Sequence, residues 1–202
     1  MEIAVGKKRK KKTTGKVPDY LVYEVVKGKP VYYKGYKDVL NKTKTFEEIT
    51  MESTLQAWLK SRLTILLGNF LLLHGYDLTT GEQGLILSKE DKRGADMAIF
   101  KEGTFAVDEH FSRVPPEIIL EIDIRADTEN TTEFDYVLEK IADYHKFGVK
   151  KVIWIFTKSK KVMDATAGQP WLTLDWENSI EVMDGLTVNL AELVATIKGT
   201  TS

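Results

Sequence analysis

The chain has 202 residues, of which 43% are hydrophobic and 29% charged, as in an ordinary globular protein. This length suffices for one well-buried core, so we expect one domain, over residues 18–202. Residues 1–17 are rich in lysine and are expected to form a basic tail. Cysteine is absent, which excludes disulfides and thiolate metal sites and fits a cytoplasmic location. The longest apolar stretch, Leu63–Leu73, is too short to cross a membrane, which takes about 20 apolar residues. No apolar stretch follows the basic start, so no secretory signal is expected.

The charge is unevenly distributed. The net charge is −1, but all six residues of Lys7–Lys12 are basic, and removing them from the 29 basic residues leaves 23 against 30 acidic residues, a net charge of −7. Such a run is usually a disordered, solubilising tail, and the alternative is a salt-dependent contact with phosphates. Because the body is acidic, any nucleic-acid binding is expected from a local groove, from the tail or from acids screened by a metal.

The N-terminal half of the domain predicts a hairpin and a long helix. Tyr20–Val26 and Val31–Tyr33 are strand-like and flank the turn Lys27–Pro30. From Thr50 onwards, apolar residues recur at three- and four-residue steps, which indicates a helix, and Gly75 is expected to cap its end. A helix this apolar should pack on a sheet.

The remainder alternates between strands and helices, which favours an α/β fold. A second helix is expected over Thr132–Phe147, with Thr132 and Asp135 as a capping box, and a short one over Leu190–Ile197. The expected strands are Gly84–Leu87, Ala95–Phe100, Glu117–Arg125, Val152–Phe156, Lys161–Ala165, Trp171–Leu174 and Ser179–Met183.

One of these strands is acidic. Glu117–Arg125 alternates. One face carries Ile118, Leu120, Ile122 and Ile124, and the other carries Glu117, Ile119, Glu121, Asp123 and Arg125. Two neighbouring carboxylates repel each other unless a cation or a proton lies between them, and hard oxygen ligands suit Mg²⁺ or Mn²⁺. Asp96 lies in another expected strand, and three carboxylates would converge if the two strands pair.

The helix that follows the acidic strand offers a lysine. Lys140 flanks the predicted buried stripe of Val137, Ile141 and Tyr144, and Tyr144 is itself expected to be mainly a core residue. A lysine at a metal site could orient or deprotonate water, or stabilise charge on a phosphate. The isolated acidic strand would more simply be a solvated face, but the addition of Asp96 and Lys140 favours a site.

The order of these segments resembles a known family. Gly94-Ala95-Asp96, Pro115–Asp123, Lys140-x-x-x-Tyr144, Gly148–Ile155 and the early Glu24–Pro30 are similar to the Uma-type restriction endonuclease family of the PD-(D/E)XK superfamily, over roughly residues 20–185. The resemblance implies a restriction-endonuclease-like α/β fold, a central mixed sheet flanked by helices with an N-terminal hairpin. It also implies Mg²⁺- or Mn²⁺-dependent hydrolysis of phosphodiester bonds, with DNA as the expected substrate. Asp96 and Glu121 would be metal ligands, and Lys140 a catalytic lysine that has moved from the sheet to the helix.

The sequence departs from the family pattern at one position. The superfamily's usual lysine, two residues after the acidic ligand, is Asp123 here, so either Lys140 takes over or the site is weakened. Arg125 could meet a phosphate or neutralise Asp123, and Glu52, expected in the first turn of the long helix, could be an additional ligand. The alternative function is a catalytically weak or inactive nuclease-fold module for nucleic-acid binding or assembly. A homodimer formed through the long helix or an edge strand is a further expectation.

Overall fold

The computed structural model describes residues 16–198, which form an eight-stranded sheet with helices on both faces and a second, two-stranded sheet. The run Lys7–Lys12 and most of the predicted tail lie outside the described residues. The helices are α1 Tyr36–Leu40, α2 Phe46–Thr50, α3 Thr54–Leu71, α4 Glu133–Phe147 and α5 Leu190–Lys198. The strands are β1 Val22–Val26, β2 Lys29–Tyr32, β3 Tyr76–Ile86, β4 Lys92–Lys101, β5 Ile118–Ile122, β6 Lys151–Phe156, β7 Lys161–Thr166, β8 Leu172–Asp175, β9 Ile180–Met183 and β10 Leu186–Val188. The expected mixed α/β class is confirmed.

The large sheet has the strand order β2-β1-β4-β5-β6-β7-β8, and β3 pairs with β4 as well. β5 and β6 run parallel and are joined through α4, whereas the other pairs of this sheet within residues 16–198 are antiparallel. The predicted N-terminal hairpin is β1-β2, and it joins the sheet where Val25 pairs with Lys92. The centre of the sheet is therefore formed by β4 and β5.

Each face of the sheet has its own apolar core. On one face α3 packs its leucines together with α5, β9 and β10, and the helix residues are Leu59, Leu63, Leu67 and Leu71. On the other face α4 packs Tyr136, Val137, Ile141 and Tyr144 against β4 and β6. Residues on β4 and β5 are consequently covered from both sides, as expected for the central strands of an α/β sheet.

The long helix starts later than predicted. It begins at Thr54 and not near Thr50, because the Ser53 hydroxyl accepts the amide of Gln56 while the Gln56 side chain accepts the amide of Ser53. Thr50 instead ends the separate short helix α2. The end was also predicted wrongly, since α3 stops at Leu71 and Gly75, with a φ of +74°, lies in the turn before β3.

Other boundaries differ from the sequence prediction where periodicity is weak. β3 begins eight residues before the expected Gly84, because its first half is half-exposed and shows no clear alternation. The short elements α1, α2 and β10 were not predicted at all. α4 begins after Thr132, whose hydroxyl accepts the amide of Asp135 as expected. The expected capping box is incomplete, because the Asp135 carboxylate accepts the Thr132 hydroxyl and not the Thr132 amide. Within residues 16–198, no helix combines the length and the apolar character that crossing a membrane requires.

Candidate active site

Asp96 and Glu121 lie next to each other where the pairing of β4 with β5 ends. Met97 is opposite Leu120 in this antiparallel pair, so the next residues along the register are Asp96 and Glu121. Asp96 Oδ2 accepts the backbone N–H of Ile122 at 2.8 Å, which ties the side chain to the end of β5. On the other side, β3 has a register shift between Thr80 and Gln83, so the regular ladder is interrupted at Asp96. The strands thus confirm the expected pairing of the two carboxylate-bearing segments.

Glu121 is buried and held by α4. Its Oε1 lies 2.7 Å from the Tyr144 hydroxyl and 3.0 Å from Lys140 Nζ. Burial raises the pKa of Glu121 to about 7, with the Lys140 ammonium opposing this rise and the Asp96 carboxylate adding to it. Tyr144 is a core residue, as expected, but its hydroxyl also contacts the site.

Lys140 is fully enclosed, at 1% side-chain exposure. Its Nζ lies 2.9 Å from Glu24 Oε1, and four aromatic rings have their centroids 5.5 to 5.9 Å away, those of Tyr23, Tyr136, Tyr144 and Trp154. Burial alone would lower the pKa of Lys140, but the carboxylates of Glu121 and Glu24 outweigh it and hold the pKa well above its ordinary value. The two carboxylates therefore favour the protonated form of Lys140.

Glu24 is one of three buried charged residues to which the sequence analysis gave no role, together with Lys60 and Arg93. It accepts hydrogen bonds from Arg93 Nη1 and the Tyr136 hydroxyl, each at 2.8 Å, and from the amide of Gly94 at 3.1 Å. Burial alone would raise the pKa of Glu24, but Lys140 and Arg93 overcome this and lower it. A single glutamate in a short apolar strand is normally a solvent-facing residue, and only the pairing of β1 with β4 brings it to Lys140.

A second set of charged side chains surrounds Asp96. Lys60, from the middle of α3, places its Nζ 2.6 Å from Asp96 Oδ1 and also contacts Glu52. The Arg125 guanidinium contacts Glu52 and Glu82. Glu52 lies in the link between α2 and α3, so its expected place in the first turn of the long helix is wrong. Of the two roles considered for Arg125, the neutralisation of Asp123 is not seen, because Arg125 is bound by these two glutamates. The phosphate contact stays a prediction.

Asp123 does not share a side with Glu121, contrary to the prediction. β5 ends at Ile122, and Asp123 adopts a φ of +60°, so the alternation on which the prediction rested stops one residue earlier. Its carboxylate accepts hydrogen bonds from the amide and hydroxyl of Thr157 at 2.8 and 2.6 Å and from Gln56 Nε2 at 2.8 Å. Ile124 follows the same bend and packs in the core on the α4 face. Asp123 thus fastens β5, β6 and α3 together.

The carboxylates that remain suit a Mg²⁺ ion with few protein ligands. No cluster of three or more His, Cys, Asp or Glu residues that could hold a metal occurs in the part of the chain that the structure describes. Mg²⁺ is commonly bound through one or two carboxylates and otherwise by water or phosphate, so Asp96 and Glu121 fit it by number and by chemistry. Asp96 Oδ1 is buried and makes no hydrogen bond, since the nearby Lys60 ammonium is a charge contact without hydrogen-bond geometry. Oδ1 is therefore the Asp96 oxygen that has only the Lys60 ammonium as a close partner, whereas Oδ2 is held by the backbone.

A family model covers most of this arrangement. Residues 45–191, more than half of the chain, match the Uma2 family, described as "Putative restriction endonuclease". This chain belongs to the Uma2 family. The membership supports a nuclease-like function and agrees with the resemblance seen in the sequence motifs.

A solved structure confirms the fold. The crystal structure of a protein from Anabaena variabilis, described as "a putative nuclease", is similar with a TM-score of 0.62 at 13% sequence identity. The similarity covers 85% of this chain and 89% of that protein. At this identity the likeness establishes the restriction-endonuclease-like fold that was expected for a Uma2 protein. A search of curated proteins found no match.

Proposed function

We propose that this protein is a Mg²⁺-dependent endonuclease that hydrolyses phosphodiester bonds of DNA, with Asp96 and Glu121 as the metal ligands. The observation that supports this most strongly is the position of Asp96 beside Glu121, with the Lys140 ammonium 3.0 Å from Glu121. Membership in the Uma2 family supports the reaction class. Mn²⁺ would serve in place of Mg²⁺, because both ions favour oxygen ligands.

The protein's own groups would fix the carboxylates for this chemistry. Mg²⁺, when bound, supplies activation of a water molecule and neutralisation of charge on the phosphate. The amide of Ile122 orients Asp96, and the Tyr144 hydroxyl orients Glu121. Lys140 contacts carboxylates and aromatic rings and stays protonated, so we assign it a positioning role through Glu121 and not the proton-accepting role considered from the sequence.

Cleavage of supercoiled plasmid DNA and of labelled RNA with Mg²⁺ or Mn²⁺ tests this proposal. The wild type should nick DNA, and Asp96→Asn and Glu121→Gln should each lower the rate at least about a hundredfold, because each removes a charged metal ligand. Glu117→Gln is the matched control, since Glu117 precedes the opposite end of β5 and pairs with Lys150 at the surface. Wild-type protein that leaves both substrates intact, or an Asp96→Asn variant as active as the wild type, contradicts the proposal.

One observation favours a second function, a nuclease-fold module that binds nucleic acid or serves in assembly without cutting. Asp123 stands where the superfamily usually has a lysine, so the positive charge of that lysine is missing from this position. The Asp123 carboxylate is bound by Gln56 and Thr157. Isothermal titration with Mn²⁺ separates the two functions. The endonuclease requires a Mn²⁺ site that Asp96→Asn abolishes, whereas the binding module requires none.

A further inference from the structure

Lys60 lies where a metal ion would have to approach Asp96. The distance from its Nζ to Asp96 Oδ1 is 2.6 Å, and the Lys60 side chain is 11% exposed. Asp96 Oδ2 is already engaged with the amide of Ile122, so Oδ1 is the atom of this carboxylate that remains for a metal. Mg²⁺ binds carboxylate oxygens at about 2.0–2.1 Å, so an ammonium group that stayed in contact with the same buried oxygen would strongly repel the metal ion.

We propose that Lys60 is an internal counter-cation that a divalent metal must displace from Asp96. The inference rests on the proposed metal site and adds a regulation of that site. In the metal-free protein Lys60 neutralises the buried carboxylate of Asp96. Without a counter-charge, this buried carboxylate would strongly destabilise the fold. The same contact makes metal binding weaker than two carboxylates would otherwise allow.

The surroundings of Lys60 provide a place to which the displaced ammonium can move. Lys60 already contacts Glu52, and Glu52 is held in turn by Arg125. The lysine side chain is a flexible stem of four carbons. Rotation about its bonds can move the ammonium group away from Asp96 while this group stays paired with Glu52. The helix α3 is expected to stay in place during this movement, because Leu59 and Leu63, on either side of Lys60, are buried in the core.

The test compares Mn²⁺ affinity in the wild type, Lys60→Met and Lys60→Arg by isothermal titration. Lys60→Met should bind Mn²⁺ at least about tenfold more tightly than the wild type, because a positive charge in contact with the ligand is gone. Lys60→Arg keeps the charge and should not bind more tightly than the wild type. Arg62→Met is the matched control, since it removes one charge from the exposed side of the same helix and should leave the affinity unchanged.

The outcomes distinguish this inference from the proposed function. If neither the wild type nor Lys60→Met binds Mn²⁺ at Asp96, the metal site itself is refuted. If both bind it with equal affinity, the metal site stands and the role of Lys60 is refuted.

A second measurement uses the wild type, in case Lys60→Met does not fold. In NMR spectra of ¹⁵N-lysine-labelled protein, the Lys60 ammonium signal should shift on addition of Mg²⁺, and its assignment follows from its loss in Lys60→Arg. The Lys151 ammonium pairs with Asp164 at the other end of the β5–β6 pairing from Glu121, so its signal should stay in place and serves as the internal reference. A Lys60 signal that stays in place while Mg²⁺ saturates the site overturns the inference.

Discussion

Among the described residues, three acidic and three basic side chains are buried, so their charges balance. They are Glu24, Asp96, Glu121, Lys60, Arg93 and Lys140. Each of them lies within 3.0 Å of an opposite charge. Buried pairs of this kind contribute little net stability compared with apolar residues of the same volume, yet breaking one is costly. Their concentration at one place in the sheet is typical of a functional site and not of a stabilising core.

Glu24→Gln tests the buried network at the residue scale. The variant leaves Lys140 and Arg93 without one of their partners, so we expect the free energy of unfolding at neutral pH to fall by about 3–5 kcal/mol. The folded-state pKa of Glu24 lies below its ordinary value of 4.5, so its contribution to stability is complete above pH 4.5 and is lost as the pH falls through the lowered value.

Urea unfolding between pH 7 and pH 3 measures both effects. The variant should lack the part of the acid-induced loss of stability that Glu24 causes in the wild type. Glu139→Gln is the control for the same chemical change, because Glu139 is an exposed residue of α4. Equal pH profiles for the wild type and Glu24→Gln would contradict the assignment.

At the scale of elements, α3 connects the core with the site. Its leucines anchor it on the sheet, Gln56 in its first turn binds Asp123, and Lys60 one turn later reaches Asp96. The start of the helix directly after Ser53 therefore places Gln56 and Lys60 at the site. Hydrophobic periodicity predicted the helix itself but not its first residue, because the residues around Thr50 are also compatible with a helix. The cap at Ser53 decides where α3 begins.

Ser53→Ala tests this cap. The change removes the hydroxyl that accepts the amide of Gln56, and we expect a loss of about 1 kcal/mol in the free energy of unfolding. Thermal unfolding should show this as a fall of about 2–4 °C in Tm. Ser61→Ala, an exposed serine within the same helix, should cause no loss, because alanine is the better helix former. A Ser53→Ala variant as stable as Ser61→Ala would show that the cap is not needed.

At the scale of the whole molecule, the site lies inside an acidic body. The chain without Lys7–Lys12 carries a net charge of −7, so attraction to DNA is expected from a local groove, from that run or from a bound metal. The predicted homodimer stays a prediction. Ile65, Leu72 and Leu73 are exposed apolar residues at the C-terminal half of α3 and just beyond it, and sedimentation velocity would show whether they form an interface.

Replacement of Lys7–Lys12 by glutamine tests the origin of DNA affinity. If the run contacts phosphates, the slope of the logarithm of the binding constant against the logarithm of salt concentration should become shallower by up to about 5 for duplex DNA. Fluorescence anisotropy over a range of salt concentrations measures this, and an unchanged Tm serves as the control for folding. Binding that keeps its full salt dependence would assign the contact to the body of the protein.

The sequence by itself determined the fold class, the family and α4 with the Thr132 hydroxyl at its start, and it proposed Asp96 and Glu121 as candidate ligands. Periodicity, capping residues and motif order can all be read directly from the chain. Only the tertiary structure decided which charges meet. Glu24 reaches Lys140 through the pairing of β1 with β4, and Lys60 reaches Asp96 through the packing of α3. Asp123 leaves the expected face because one residue has a positive φ. Such contacts depend on strand register, helix placement and single backbone torsions, and no spacing in the sequence encodes these.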